Sequence, residues 1–125
     1  MKLEILGRIP SKKNSKRSLC LAKNKSIIFY SPQYKQWEKE TIEKLNEYRP
    51  DKLIETCSIN MTFFFPDNRK SDLINKAESV LDILVSSSFI KDDDWKCVSS
   101  LHLFSGAVDK ENPRVEIEII DISSI

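Results

Sequence analysis

From Cys57 to Phe65 the chain repeats with a period of two. Cys57, Ile59, Met61, Phe63 and Phe65 alternate with Ser58, Asn60 and Thr62. That period belongs to a strand with one covered face, and a covered face obliges the chain to supply a second layer. Arg114–Asp121 repeats the pattern, with Val115, Ile117 and Ile119 set against Glu116 and Glu118. Lys2–Ile9 and Trp95–Phe104 read as further strands, and Ser26–Tyr30 as a short strand or hairpin arm. Ser11–Lys25 is polar and basic and reads as a loop.

Two segments change to the helical period. Ser31-Pro32 offers an N-cap followed by proline at the first position. Beyond it Tyr34, Trp37, Thr41, Leu45 and Tyr48 form one stripe, which Pro50 ends. From about Asp72 to Val85, Leu73, Ala77, Val80, Leu81 and Leu84 fall on a single face. Pro66-Asp67-Asn68 is a turn, and Phe89-Ile90 is expected to tuck inward. The reading is an α+β fold: a small mixed sheet of about four strands with two main helices packed on it. The 125 residues make a single domain over 1–125.

Composition narrows the function. No window approaches the roughly 18 apolar residues of a spanning helix, and the first residues do not read as a signal peptide. Cys20, Cys57 and Cys97 are too widely spaced for a zinc site and default to buried packing roles, which suits a reducing cytosol. Gly7 and Gly106 are the only glycines, so no glycine-rich phosphate loop exists. His102, the one histidine, lies on an expected strand without a nucleophile's context. Trp37 and Trp95 read as core or edge of core.

The net charge of +1 conceals an uneven distribution. Residues 1–25 carry eight basic side chains against the single acid Glu4, whereas residues 66–125 carry seven basic and twelve acidic. A basic front and an acidic back suit a phosphate-binding surface beside a cation site, or two solvated faces. On the second helix Asp72, Asn75, Ser79 and Asp82 align opposite the apolar stripe, with Glu78 nearer its border. Asp72 also suits the N-cap. Lys91-Asp92-Asp93-Asp94 follows a short connection later. Each feature alone reads as a solvated surface. Together, carboxylates from two elements are the hard oxygen donors that Mg²⁺ takes, and such a site can hydrolyse a phosphodiester.

These residues carry a resemblance. Asp72-Leu73-Ile74-Asn75, Asp82-Ile83-Leu84 and Phe89-Ile90-Lys91-Asp92-Asp93 resemble the RusA family of Holliday junction resolvases, small dimeric endonucleases of phages and prophages. The likeness runs from Ile9-Pro10-Ser11 through the last strand. It implies Asp72 and Asp93 as catalytic carboxylates. Asn75, Asp82 and Asp92 match further family positions. Two positions depart: the family's second catalytic Asp falls on Ile74, and its active-site lysine falls on Glu78. Glu78, one turn beyond Ile74, returns the lost carboxylate and joins the expected catalytic set. Asp72, Asp93, Glu78, Asp92 and Asp82 are then the expected Mg²⁺ ligands, with Mn²⁺ as substitute.

The family's early Pro-Ser-Asn loop corresponds to the basic segment at about 10–25. Ser11, Lys12, Lys13, Asn14, Lys16 and Arg17, with Asn75 on the helix, are the expected DNA contacts. The resemblance implies a Mg²⁺-dependent structure-selective endonuclease for four-way junctions, acting in recombination and repair. It further implies a homodimer on branched double-stranded DNA, phage or prophage encoded and cytoplasmic, with no membrane role. The alternative is a catalytically altered or inactive module of the same fold that binds branched DNA.

Overall fold

The computed structural model describes residues 1–123. Six strands and two α-helices follow one another as β1 (Lys2–Leu6), β2 (Lys16–Ala22), β3 (Lys25–Tyr30), α1 (Pro32–Leu45), β4 (Cys57–Phe64), α2 (Leu73–Ser86), β5 (Val98–Ser105) and β6 (Arg114–Asp121). The main sheet has four strands in the order β1-β6-β4-β5. β4 pairs antiparallel with β6 and parallel with β5, so the sheet is mixed as its sequence pattern implies. β2 and β3 form a separate two-stranded ribbon.

Strand register explains the core. Ile59 faces Ile119, Met61 faces Ile117 and Phe63 faces Val115, while Leu3 and Ile5 of β1 lie opposite Ile117 and Val115. All of these side chains are buried on one face. The other face mixes polar and apolar side chains: Ser58 Oγ and Ser100 Oγ lie 2.5 Å apart, Asn60 donates to Glu118 at 3.1 Å, and Phe104 and Ile120 stand exposed opposite Thr62 and Ser58. The helices cover only the apolar face.

Ser31 caps α1, its hydroxyl accepting from the Tyr34 amide at 3.2 Å, with Pro32 in the first turn. Tyr34, Thr41 and Leu45 are buried. α2 is the crossover that the parallel β4–β5 pair requires. Ala77, Val80, Ile83 and Leu84 bury against the sheet. The chain closes behind α2 with Phe89 and Ile90 fully inside, where Ile54 N–H donates to the Phe89 carbonyl at 3.0 Å and Ile54 bridges Ile90. Cys57 and Cys97 are buried, and burial pushes the Cys57 thiol up to about 12.

Several expectations change. The first strand stops at Leu6, because Gly7 turns the chain at φ +90°. The stretch expected as a loop, 11–25, contains a short 3₁₀ turn and β2. β2 gave no alternating signal because, among the described residues, neither face of its ribbon enters the core, and Cys20 on it is exposed rather than buried. β5 begins at Val98 rather than Trp95, since residues 94–97 form a turn. Trp95 lies on that turn and is 78% exposed, and Tyr48 leaves the α1 stripe for solvent at 59%.

Phe89 has no exposed surface and locks the end of the crossover. Phe89→Ala is expected to cost about 3–5 kcal/mol in denaturant unfolding, with the slope unchanged.

Candidate active site

The N-terminal segment lies along α2, and a buried serine holds it there. Ser79 has no exposed surface. Its hydroxyl donates to the Pro10 carbonyl at 2.7 Å and accepts from the Lys12 amide at 2.9 Å. Lys76 adds a bond from Nζ to the Ile9 carbonyl at 2.5 Å, and burial, with the nearby Arg8 charge, lowers its pKa. Residues 9–12 are thereby fixed against the helix, and the Lys12 ammonium reaches Asp82 Oδ1 at 2.9 Å.

Around that ion pair the structure gathers side chains from four segments. Glu38 of α1 approaches Asp82: partial burial, then the Asp82 charge, push its carboxyl up. Asp93 is shifted up in the same sense, first by partial shielding from water, then by Asp92, with Asp82 contributing. Burial works to lower the Lys12 pKa, but the hydrogen bond and charge of Asp82 outweigh it, and Tyr30 and Asp93 add to the rise. Beneath them Tyr34 is buried, and its hydroxyl has no well-formed hydrogen bond among the described residues. Burial pushes that phenol up, and Asp82 and Glu38 push it further. Three carboxyl groups gather around the Lys12 ammonium in a partly desolvated cluster, with Lys35 also acting on Glu38, and clusters of shifted groups of this kind are common at functional sites.

The aspartate run divides its work. Asp94 is structural: Oδ1 accepts from the Lys96 and Cys97 amides at 3.1 and 3.0 Å, and its carbonyl accepts from Cys97 and Val98. Asp92 Oδ1 accepts from the Asp93 amide at 2.8 Å. Asp93 is the member that senses Asp82.

Asp72 stands at the far end of α2. It is the N-cap, and its Oδ1 accepts from the Ile74 and Asn75 amides at 2.9 and 3.3 Å. At 1.5 Å rise per residue the helix sets Asp72 and Asp82 about 15 Å apart along its axis. Ile74 is 66% exposed, and Glu78, one turn on, is exposed on the same side. Asn75 is half-buried. α2 thus carries Asp72 at its start and Asp82 towards its end, near Asp93, with Glu78 between them and one turn from Asp82. Among the described residues no group of three or more His, Cys, Asp or Glu side chains is arranged to hold a metal ion.

Of the expected DNA contacts, Lys13, Asn14, Lys16 and Arg17 are exposed. Ser11 is half-buried, its hydroxyl accepting from the Asn14 amide at 3.2 Å. Lys12 differs: its charge is committed to Asp82. Sequence reading missed Glu38, whose helix shows no acidic motif, and Tyr34, which reads as an ordinary stripe residue. A cavity of about 520 Å³ lies elsewhere, between β1 and α1 beside Trp37.

Residues 9–120 match the family described as endodeoxyribonuclease RusA. A crossover junction endodeoxyribonuclease RusA of Aquifex aeolicus (strain VF5) is 29% identical over 68 residues, 54% of each chain. The chain spans about half the length of that curated relative. No helix among the described residues is long and apolar enough to cross a membrane.

Two substitutions should move stability in opposite directions. The raised Asp93 value means that protonation favours the fold, so the penalty is absent below the ordinary carboxylate range and grows as pH rises through the folded value. Asp93→Asn should therefore raise the Tm by about 1–2 °C at pH 7, with the gain vanishing near pH 3. Ser79→Ala strands the Lys12 amide and the Pro10 carbonyl and should cost about 1–3 kcal/mol. Calorimetry on both variants across pH checks the pair.

Proposed function

The chain belongs to the endodeoxyribonuclease RusA family, and on that premise we propose that it is a Mg²⁺-dependent, structure-selective endonuclease that hydrolyses phosphodiesters in four-way DNA junctions. The observation that carries this reading is the extent of the match, which takes in the basic segment, the Asp72 cap, Asp82 and the Asp92-Asp93 loop together.

The donor chemistry suits the metal, since every candidate ligand is a carboxylate. When bound, Mg²⁺ supplies charge stabilisation at the scissile phosphate and an activated water. Asp93 and Asp92 are the residues proposed to hold it at one end of α2 and Asp72 at the other, with Glu78 between. The helix rise between Asp72 and Asp82 supports a site completed by a second copy. A two-fold homodimer that lays the Asp72 end of one α2 against the Asp93 loop of the other copy would complete two equivalent sites, which suits opposed strands of a junction. Lys13, Lys16 and Arg17 hold backbone phosphates, giving salt-dependent affinity without sequence reading. Lys12 neutralises Asp82 and keeps the acids from spreading apart. A cytoplasmic role in recombination and repair, from a phage or prophage gene, follows from the same reading.

A second reading has its own support in Ile74, an exposed apolar residue where the family has a carboxylate. On that reading the fold binds branched DNA without cutting it.

Purified protein should nick synthetic four-way junctions with Mg²⁺ or Mn²⁺ and stop in chelator. Asp72→Asn and Asp93→Asn should each abolish nicking while retaining junction binding. Mixing the two inactive variants should restore nicking, because a mixed dimer with shared sites has one intact set. Binding without any nicking by the unaltered protein favours the second reading. Cutting that survives both substitutions removes the proposed site.

A further inference from the structure

The β2–β3 ribbon presents an anomaly that the acidic site does not use. Its base is tied to the body: Ser31 N–H donates to the Ser15 carbonyl at 2.8 Å, and the Tyr30 ring lies 5.2 Å from Tyr34. It pairs with no strand of the main sheet. A two-stranded ribbon without a covering layer is marginal in water.

Its register sorts the side chains onto two faces. Lys16 pairs with Tyr30 and Ser18 with Ile28 on the face that meets the body at its base, where Ile28, farther along, stands alone and 69% exposed. Arg17 pairs with Phe29 and Leu19 with Ile27 on the opposite face. There Leu19, Ile27 and Phe29 remain 52%, 46% and 39% exposed, contiguous and beside a guanidinium. A contiguous apolar patch of this kind marks an interaction surface.

Charge selects the occupant. No acid occurs between Glu4 and Glu38, and the ribbon itself carries Lys16, Arg17, Lys23 and Lys25. A second copy of the ribbon docked face to face would set these cations against their equals. A partner with dense negative charge and accessible flat apolar surface satisfies both features. Duplex DNA offers the charge but keeps its base faces stacked, whereas a branch point exposes them. Resting on the branched-DNA reading above, we infer that the outer face of the β2–β3 ribbon is a wedge that packs Leu19, Ile27 and Phe29 against unstacked bases at the branch, while its lysines hold the flanking phosphates. Structure selectivity then resides in this ribbon, apart from the carboxylates that perform the chemistry.

The test uses the triple variant Leu19→Thr/Ile27→Thr/Phe29→Thr, since threonine keeps the strand preference and removes the apolar face. Binding is measured by fluorescence anisotropy to a four-way junction and to a linear duplex of the same sequence. A 2-aminopurine at the branch reports unstacking. The variant should lose about tenfold in junction affinity and remain within about twofold of the unaltered protein on duplex. The 2-aminopurine signal should rise with the unaltered protein and stay flat with the variant. Lys23→Gln should weaken both substrates alike and reduce the salt slope by about one. The single variant Phe29→Trp, which keeps the apolar face, provides a second readout: its fluorescence should be quenched by the junction and unchanged by the duplex.

Unchanged junction selectivity in the triple variant, with no quenching of Phe29→Trp, overturns the wedge while leaving the nuclease reading intact. A triple variant that sediments as a monomer where the unaltered protein is a dimer assigns the face to a second copy and also overturns it. An unaltered protein that neither prefers nor cuts the junction sinks the nuclease reading and the wedge together.

Discussion

Parallel pairing of β4 with β5 constrains everything else. Two parallel neighbours cannot be joined by a tight turn, so the chain must travel back along the sheet, and α2 is that return. The β4 end from which α2 departs sits by Ile9 and Lys76, and the end it reaches is closed by Phe89 and Ile90 against Ile54. Carboxylates placed just before and just after such a crossover are held at its opposite ends by the backbone itself. Topology therefore sets Asp72 at the entry to the crossover and Asp93 on the connection that follows it.

The same helix organises the basic segment. Ser79 lies at the border between the buried and solvent faces of α2, and its hydroxyl serves the N-terminal backbone twice, as donor and as acceptor. That anchorage delivers Lys12 to Asp82 and sets the base of the β2–β3 ribbon beside Tyr34. Partial burial first, and then the neighbouring carboxylates whose repulsion the Lys12 ammonium lowers without cancelling, make Glu38 and Asp93 both hold their protons more tightly than usual. A fully neutralised cluster would be more stable and would have less attraction for a divalent ion.

Much of the fold was legible because burial writes a period into sequence. β4, β6, α1 and α2 each bury one face, and each shows the corresponding period of two or about three and a half residues. The mixed four-stranded sheet and its helix layer follow from those four elements, and Phe89-Ile90 was readable as an inward pair. The β2–β3 ribbon was not readable in full, since a ribbon with both faces exposed imposes no alternation. Trp95 misleads for a related reason: its size suggests burial, but Asp94 turns the chain through two side-chain bonds to the amides of Lys96 and Cys97 and throws the indole outward. In the site, the aspartates were visible as a motif, but the partner each would meet was not. Glu38 joins Asp82 only through helix packing, and no spacing within α1 announces it.

Ile74 shows how the departures on α2 bear on one another. An isoleucine two-thirds exposed near a helix start gains little burial and has poorer helix propensity than a straight-chain residue, so folding does not call for it. It lies one turn from Glu78 and two from Asp82, along a single ridge of the solvent face. A carboxylate at 74 would add a third acid to that ridge beside the Asp72 cap, with Lys12 already committed at its far end. With isoleucine at 74 and glutamate at 78, the ridge keeps two acids and moves one of them a turn towards the helix middle. Against an aspartate at 74 and a lysine at 78, isoleucine and glutamate make the ridge more negative by one charge while the N-cap carboxylate is relieved of its closest competitor, so the pair of replacements shifts the negative charge towards Asp82.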